Sequence, residues 1–342
     1  MDYKEKALKL HKENTVIDAH LDLGAIIFER KRKGEKDIIK NHFLKDFKKA
    51  GFNLIVGAIY VDDIYIPEMA LRVALDQIVE LREEIESTDE LMLITTKKDL
   101  KNSLEKEKIG IMISLEGADP ILNDLNLLNV FYKMGVRGLG LTWSRRNYVA
   151  DGSYFGNPQE GIKGGITPFG IKAVKKCEEL GIFIDASHLN DSGFSDLLKV
   201  SKKPFIASHS NSREINNIVR NLSNNQMKEI GKKNGVIGIN GYTNIVSQDK
   251  KEQNISKLCD HIEKIIENAG ENSIGYGFDL CGLLSDSEED IDVVKTHEES
   301  LLVTEELLKR GYSEKIIKKI IGGNFYNFYE KMLDWGVLWQ IY

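Results

Sequence analysis

The chain has 342 residues and a formal net charge of -6, from 53 acidic and 47 basic side chains. A general nucleic-acid binder usually carries a basic stripe that neutralises phosphates, so this balance argues against nucleic acid as a partner and favours a small-molecule substrate. The three cysteines, Cys177, Cys259 and Cys281, are widely spaced without a CxxC pair, which argues against a disulfide framework and against a thiolate zinc site.

The N-terminal segment, MDYKEKALKLHKEN, predicts a charged amphipathic helix without the apolar centre of a signal peptide. No later stretch reaches membrane-spanning length, so we expect a cytoplasmic protein with no membrane partner. The chain contains only five prolines and has no low-complexity linker. We therefore expect one domain over residues 1–342.

Apolar, β-branched runs alternate with helical patterns along the chain. Eight such runs predict strands at 15–23, 52–61, 109–117, 136–143, 181–188, 204–210, 235–240 and 273–279. Runs such as GVIGIN and PFIAS have no polar alternation, which is typical of parallel strands covered on both faces. The pattern favours an α/β fold, a closed (β/α)8 TIM barrel, with an open doubly wound sheet as the alternative. Beyond residue 297 we expect extra C-terminal helices packed outside the barrel.

Metal-competent side chains stand where four of these runs end. The carboxyl ends of parallel strands meet at one rim, so we expect these side chains to converge there. Taken singly, each has an ordinary explanation, such as a core histidine bonded to the backbone or a glutamate that emerges into solvent. The set makes coincidence the weaker account. Its members are His20, Asp22, Glu116, His188 and His209.

The number and spacing of these groups predict a pair of metal ions. His20 and Asp22 are two apart, so an extended strand directs both to one side. Three imidazoles and two carboxylates exceed the needs of one tetrahedral zinc and suit two ions that share a carboxylate. Two divalent ions acidify a bridging water and polarise a carbonyl, which is hydrolytic chemistry. The sequence has no HExxH, GxSxG or GxGxxG motif, so other hydrolase and nucleotide-binding signatures are absent.

Several segments, in order and spanning nearly the whole chain, resemble the renal (membrane) dipeptidases, binuclear zinc peptidases built on a (β/α)8 barrel. The segments are DAHLDL, SLEGADP, GVRGLGLTWSRRNYVADG, ITPFG, IDASHLND, PFIASHSNSREI, VRNLSNNQMKEI, GYGFDLCG and GGNFYNF. The resemblance implies that His20 and Asp22 hold one zinc, that His188 and His209 hold the other, and that Glu116 bridges the two ions.

The same resemblance implies further roles around the metals. Arg220 would bind the carboxylate at the substrate's C-terminus, and Trp143 and Asn147 would lie beside the substrate. Asp279 would be catalytic together with Glu116 and would handle protons at the reacting centre. The implied reaction is zinc-dependent hydrolysis of L-Xaa-L/D-Xaa dipeptides by a metal-bridging hydroxide, and the family leads us to expect a homodimer.

Two departures from the family pattern bear on specificity. Trp143 stands where vertebrate relatives carry a histidine in an LTHxxxN pattern, which predicts a reshaped pocket unless the indole is only core packing. In GYGFDLCG, Gly277 and Leu280 replace an acidic residue and a glycine of the family segment. The alternatives are a related binuclear barrel hydrolase that acts on cyclic amides or phosphoesters, and a non-catalytic binding protein on the same fold.

Overall fold

The apolar runs form a parallel sheet with helices between its strands. The computed structural model describes residues 2–154, 164–284 and 291–334. The strands are β1 Val16–Leu21, β2 Phe52–Tyr60, β3 Leu91–Leu93, β4 Ile109–Glu116, β5 Val136–Gly140, β6 Phe183–Asp185, β7 Ile237–Ile239 and β8 Ile274–Tyr276.

Every pairing between named strands is parallel, and the order is β6-β5-β4-β2-β1-β8-β7, with β3 paired to β4 outside this path. The predicted strand at 204–210 is instead two isolated parallel bridges, from Ile206 to the end of β6 and from Ala207 to β7. β3 is a short strand that the sequence pattern did not predict. The α/β class with a parallel sheet is confirmed.

Helices occupy most connections between strands. They are α1 Tyr3–Glu13, α2 Leu23–Arg32, α3 Leu44–Ala50, α4 Ala70–Glu86, α5 Lys97–Glu105, α6 Asn126–Lys133, α7 Pro168–Leu180, α8 Asp191–Val200, α9 Asn224–Lys232, α10 Thr243–Val246, α11 Ile255–Ala269, α12 Ser300–Lys309, α13 Glu314–Lys318 and α14 Asn324–Asp334. Side-chain caps fix several starts; for example, Thr96 and Asp99 form a reciprocal capping box at α5. None of the described helices is both long and apolar enough to cross a bilayer.

The sheet is buried on both faces. All residues of β1 and β4 are buried, which accounts for the unbroken apolar runs of the sequence. A large hydrophobic cluster joins strands and helices, and a smaller cluster gathers Ile17, Leu54 and Met112 from three neighbouring strands. Phe325 and Tyr329 of α14 complete the smaller cluster, so this C-terminal helix covers strand side chains directly. The three predicted helices beyond residue 297 are present as α12, α13 and α14.

Candidate metal centre

The five side chains expected at the rim converge in the structure. His20 lies in β1 and Asp22 directly follows it, and Glu116 is the last residue of β4. His188 follows β6, and His209 follows the bridge at Ala207. All five are at most 7% exposed, so the strand ends deliver a cluster of ionisable groups into a buried site.

One half of the cluster surrounds the His20 imidazole. Its Nε2 lies 3.5 Å from Asp22 Oδ1, 3.7 Å from Glu116 Oε2 and 3.7 Å from Asp279 Oδ1. The ligand-type atoms of His20, Asp22 and Asp279 fall within 4.8 Å of one another, which is a spacing that one cation can span. Asp279 therefore joins this half in addition to the two residues expected there.

The other half lies on the opposite oxygen of Glu116. His188 Nε2 is 3.0 Å and His209 Nε2 is 3.4 Å from Glu116 Oε1. The two imidazole nitrogens are 2.9 Å apart. Glu116 thus directs Oε2 to one group of donors and Oε1 to the other, as a bridging carboxylate requires.

Buried atoms without partners test whether this donor set suits a metal. His20 Nε2, Asp22 Oδ1 and Glu116 Oε2 are buried and form no hydrogen bond with described residues. Unpaired buried polar atoms are unfavourable, and a cation would satisfy all three at once. Imidazole and carboxylate donors are those that zinc accepts. The residues present therefore fit a metal pair.

The electrostatics of the carboxylates reflect crowding of negative charge. Burial, together with the nearby Asp22 carboxylate, raises the pKa of Glu116 to about 8. Burial also raises the pKa of Asp279. Burial alone would lower the pKa of His20, but Glu116, Asp22 and Asp279 outweigh it and raise that pKa well above its usual value. Positive charge is therefore stabilised at this point of the protein.

The other two imidazoles are kept neutral. Burial, followed by the positive charge of Arg220, lowers the pKa of His188 well below its usual value. Burial and the neighbouring His20 do the same to the pKa of His209. A neutral imidazole nitrogen is the form that binds metal, so both rings hold the required form near neutral pH.

Hydrogen bonds to the far side of each ring fix the candidate ligands in place. Ser144 Oγ lies 2.8 Å from His188 Nδ1, and Ser208 Oγ lies 2.7 Å from His209 Nδ1. Asn240 Nδ2 donates to Asp279 Oδ2 at 2.8 Å. Asp18, on β1, accepts from the backbone N–H groups of His20 and Phe278 and so joins β1 to the chain after β8. The sequence analysis missed these supporting residues. Ser208 directly precedes His209, but Ser144 is far from His188 along the chain.

The backbone is strained at two of these positions. His188 has φ of 65° and Asp279 has φ of 57°, values that are uncommon for residues with a side chain. Close packing explains why position 277 is a glycine, because a Cβ there would collide with the carbonyl oxygen of Ser208. The acidic residue expected there from the family pattern would not fit in this chain.

A cavity of about 700 Å³ opens onto the cluster. Trp143 lines it, with its ring 5.7 Å from that of His188 and 5.3 Å from that of Tyr60. The Arg145 guanidinium lies 5.3 Å from the indole and is held by Asp119 and Asp63. Trp143 is therefore at the cavity wall, as predicted for a residue beside a substrate. The described lining residues are Asp22, Tyr60, Asp62, Glu116, Trp143, His188, Tyr242, Asn244, Ile245, Asp279, Cys281, Leu284 and Ile291.

Two predicted substrate-binding residues do not line this cavity. Arg220 is 3% exposed, and its two terminal nitrogens donate to Ser210 Oγ and to the carbonyl of His209, while Nε has no partner. The Asn147 side chain accepts from the N–H groups of Val149 and Ala150 and donates to the carbonyl of Leu141. These bonds support a loop, so a substrate-binding role for Asn147 stays a prediction.

Curated dipeptidases are similar in sequence to this chain. The chain is 28% identical to Dipeptidase 3 of Mus musculus over 96% of its own length, and it spans 66% of that protein. It is 29% identical to Dipeptidase verJ of Clonostachys rogersoniana over 75% of its own length, which is 64% of that protein. The chain thus spans about two thirds of the length of these curated relatives.

Solved structures have the same fold. A metallopeptidase from Rhodobacter sphaeroides, bound to a phosphinate mimic of the dipeptide L-Ala-D-Ala, superposes with a TM-score of 0.83 at 24% identity, over 93% of this chain and 99% of that one. The dipeptidase AC, a family M19 metallopeptidase, gives 0.82 at 25% identity over 94% and 99%. The sequence model of the membrane dipeptidases, peptidase family M19, matches residues 4–333, and the chain belongs to that family.

Proposed function

We propose that this protein is a metal-dependent dipeptidase that uses two zinc ions bridged by Glu116. The observation that carries the proposal is the arrangement of donors around Glu116. Its Oε2 lies nearest His20, which contacts Asp22, and its Oε1 lies nearest His188 and His209; ligand-type atoms of His20, Glu116 and His209 also fall within 4.8 Å of one another, so the two proposed sites adjoin. Three unpartnered buried atoms point to the same conclusion.

The chemistry of the reaction divides between the ions and the protein. When bound, the zinc pair would supply an activated water and would polarise the carbonyl of the scissile amide. The protein side chains hold the ions in place and exclude bulk water, since all five candidate ligands are buried. Hydrolysis breaks the C–N bond, adds the water oxygen to the carbonyl carbon and leaves a proton for the departing amine.

Asp279 is placed to move that proton. Its Oδ1 faces His20 Nε2, its Oδ2 is held by Asn240, and it lines the cavity. With Oδ2 held by Asn240, Oδ1 remains beside His20 and the proposed metals, at the wall of the cavity. We assign Asp279 the transfer of a proton to the leaving nitrogen.

Arg220 supports recognition of a free C-terminal carboxylate. Its side chain is buried, and its Nε has no hydrogen-bond partner among the described residues. Burial lowers the pKa of Arg220 by more than the charges of Asp279 and Glu116 raise it, so the net shift is downward. The unpartnered Nε is a donor that a substrate carboxylate would satisfy, and because Arg220 does not line the cavity, this proposal requires the guanidinium to become accessible when substrate binds.

Trp143 would shape the part of the pocket beside His188. Its indole stands against Tyr60 and His188 and leaves no imidazole at this position to assist the reaction. We propose that this aromatic wall contacts a substrate side chain, and that any charge stabilisation at the reacting carbonyl would have to come from the bound metal, because no imidazole stands at position 143.

Four wider expectations stand beside this function. We propose that the bridges at Ile206 and Ala207 close the sheet into a (β/α)8 barrel, because they link β6 to β7. A single domain, a homodimer and a cytoplasmic location remain predictions.

Among the described residues of the cavity lining there is no lysine, so nothing there favours a site that uses a carboxylated lysine.

A panel assay tests the proposal. Zinc-loaded protein should hydrolyse L,L or L,D dipeptides and lose the activity when a chelator removes the metal, because the zinc pair supplies the activated water. Tripeptides and C-terminally amidated dipeptides serve as matched controls for the free-carboxylate requirement. A protein that binds two ions yet leaves every dipeptide intact, while cleaving cyclic amides or phosphoesters, would overturn the assignment.

A further inference from the structure

The hydroxyl of Ser208 lies behind two of the candidate ligands at once. Ser208 Oγ is 2.7 Å from Nδ1 of His209 and 3.4 Å from Nδ1 of His20. These two imidazoles belong to different halves of the proposed metal pair, and their rings lie 3.7 Å apart. One hydroxyl therefore contacts the outer nitrogen of a ligand for each ion.

The direction of these hydrogen bonds follows from the third partner. Ser208 Oγ also donates a hydrogen bond to Asp185 Oδ2, a carboxylate whose other oxygen accepts from two backbone N–H groups. The hydroxyl has one proton, which it donates to Asp185, so it can only accept from the imidazoles. Nδ1 of His209, and more weakly Nδ1 of His20, must then carry the donated hydrogen. The neutral His209 ring thereby directs its Nε2 lone pair toward Glu116.

Asp185 is itself firmly held. It ends β6, is 4% exposed, and accepts from the backbone N–H groups of Ser187 and Ser208 through Oδ1, each at 2.9 Å. The carbonyl of Ser208 is pressed against Gly238 and Gly277, where any Cβ would collide with it. Ser208 is thus fixed from both its backbone and its carboxylate partner, and its hydroxyl has little freedom to reorient.

We propose that Ser208, backed by Asp185, is a positioning residue shared by both metal sites, and this rests on the binuclear site of the proposed function. Hydrogen bonds to the outer nitrogen of a metal-bound histidine orient the ring and raise its basicity. Ser208 makes this contact for His209 and His20 together. The third imidazole differs, because His188 Nδ1 contacts Ser144 Oγ at 2.8 Å.

The difference between the two serines gives a matched experiment. Zinc affinities are measured by chelator competition for the wild type, Ser208→Ala and Ser144→Ala. Ser208→Ala should weaken both binding steps, by about 10- to 100-fold each, as is typical of such outer contacts. Ser144→Ala should weaken only the step that involves His188. Ser103→Ala removes a buried hydroxyl of α5 that donates to the Leu100 carbonyl, and it controls for a general loss of stability.

A second readout is independent of metal. In the zinc-free protein with ¹⁵N-labelled histidine, the ring shifts of His209 report which nitrogen carries the hydrogen. The wild type and Ser103→Ala should show hydrogen on Nδ1, and Ser208→Ala should show a mixture or a hydrogen on Nε2. This measurement also keeps the proposal testable if the variant binds zinc too weakly to titrate.

The outcomes separate this inference from the proposed function. If Ser208→Ala binds two ions with wild-type affinity, or if only one step weakens, the shared role is wrong while the dipeptidase proposal stands. An unchanged His209 tautomer in Ser208→Ala would also overturn it. If the wild type binds no divalent ion, both proposals fail. Weakening of both steps with an altered tautomer supports the inference.

Discussion

Glu116 is the residue on which the site depends, because each of its oxygens faces a different set of donors. Oε1 lies 3.0 Å from His188 Nε2 and 3.4 Å from His209 Nε2, and Oε2 lies 3.7 Å from His20 Nε2. The carboxylate is therefore close to all three imidazoles. Its raised pKa has the same origin, since burial and neighbouring carboxylates disfavour its charge until cations are present. Ionised Glu116 is thus unfavourable in the metal-free protein, and bound cations would stabilise its charge.

Arg220 carries the prediction on substrate recognition. Arg220→Lys should raise KM for dipeptides by roughly tenfold or more and reduce the preference for a free carboxylate over a C-terminal amide, because lysine lacks the planar donor set. Arg72→Lys is the matched control, since Arg72 pairs with Asp76 on the exposed side of α4. Steady-state kinetics measure both. A variant that keeps the wild-type preference would remove Arg220 from substrate binding.

The sequence revealed the candidate ligands because strand ends are readable from apolar runs. Tyr60 could have been found in the same way, since it ends β2 in register with Glu116. Ser208 and Asp185 could not, because their importance lies in which atoms they reach across strands. Pairing of that kind has no signature in the order of residues along the chain.

At the scale of elements, the strand ends and their close packing position the site. The predicted strands were placed within a few residues for most of the sheet, because burial on both faces gives unbroken apolar runs. The short β3 and the loss of a named strand at 204–210 were not foreseen. Length alone is not the reason, since β6, β7 and β8 are as short as β3 and were predicted; at 204–210 the apolar run was recognised, but only Ile206 and Ala207 form bridges to neighbouring strands.

Gly277 is where this packing is most sensitive. Gly277→Ala should weaken zinc binding at both sites and lower the melting temperature, because its Cβ would push against the Ser208 carbonyl and displace His209. Gly270→Ala is the control for backbone strain: its Cβ meets no atom within 4 Å, but φ of 90° and ψ of 160° suit glycine alone, so it should lower the melting temperature without weakening zinc binding. Calorimetry with and without zinc measures the effects. Equal losses of zinc affinity in the two variants would contradict the prediction.

At the scale of the whole molecule, buried histidines outside the site make stability depend on pH. Burial lowers the pKa of His11 to about 4, although its hydrogen bond to the Ala50 carbonyl opposes the shift. Burial lowers the pKa of His261 to about 4 as well. Between these values and the ordinary pKa of about 6.5, the unfolded chain binds more protons than the folded protein. The contribution of these two histidines to stability is therefore complete above pH 6.5 and is lost as the pH drops toward 4.

His11→Gln tests this prediction. The variant should lose less unfolding free energy than the wild type between pH 6.5 and 4, by roughly 3 kcal/mol if His11 makes its full contribution. Denaturant unfolding of the metal-free proteins at several pH values gives the comparison, and the ligand histidines are common to both. Parallel curves for the two proteins would show that His11 does not titrate as the structure implies.

The most direct measurement is the location of zinc in crystals of the protein, with diffraction data collected on both sides of the zinc absorption edge. Two anomalous peaks are expected per chain. One should lie about 2.0–2.2 Å from His20 and Asp22, the other at about the same distance from His188 and His209, and both should contact Glu116. A single peak, or two peaks that share no contact with Glu116, would contradict the binuclear centre.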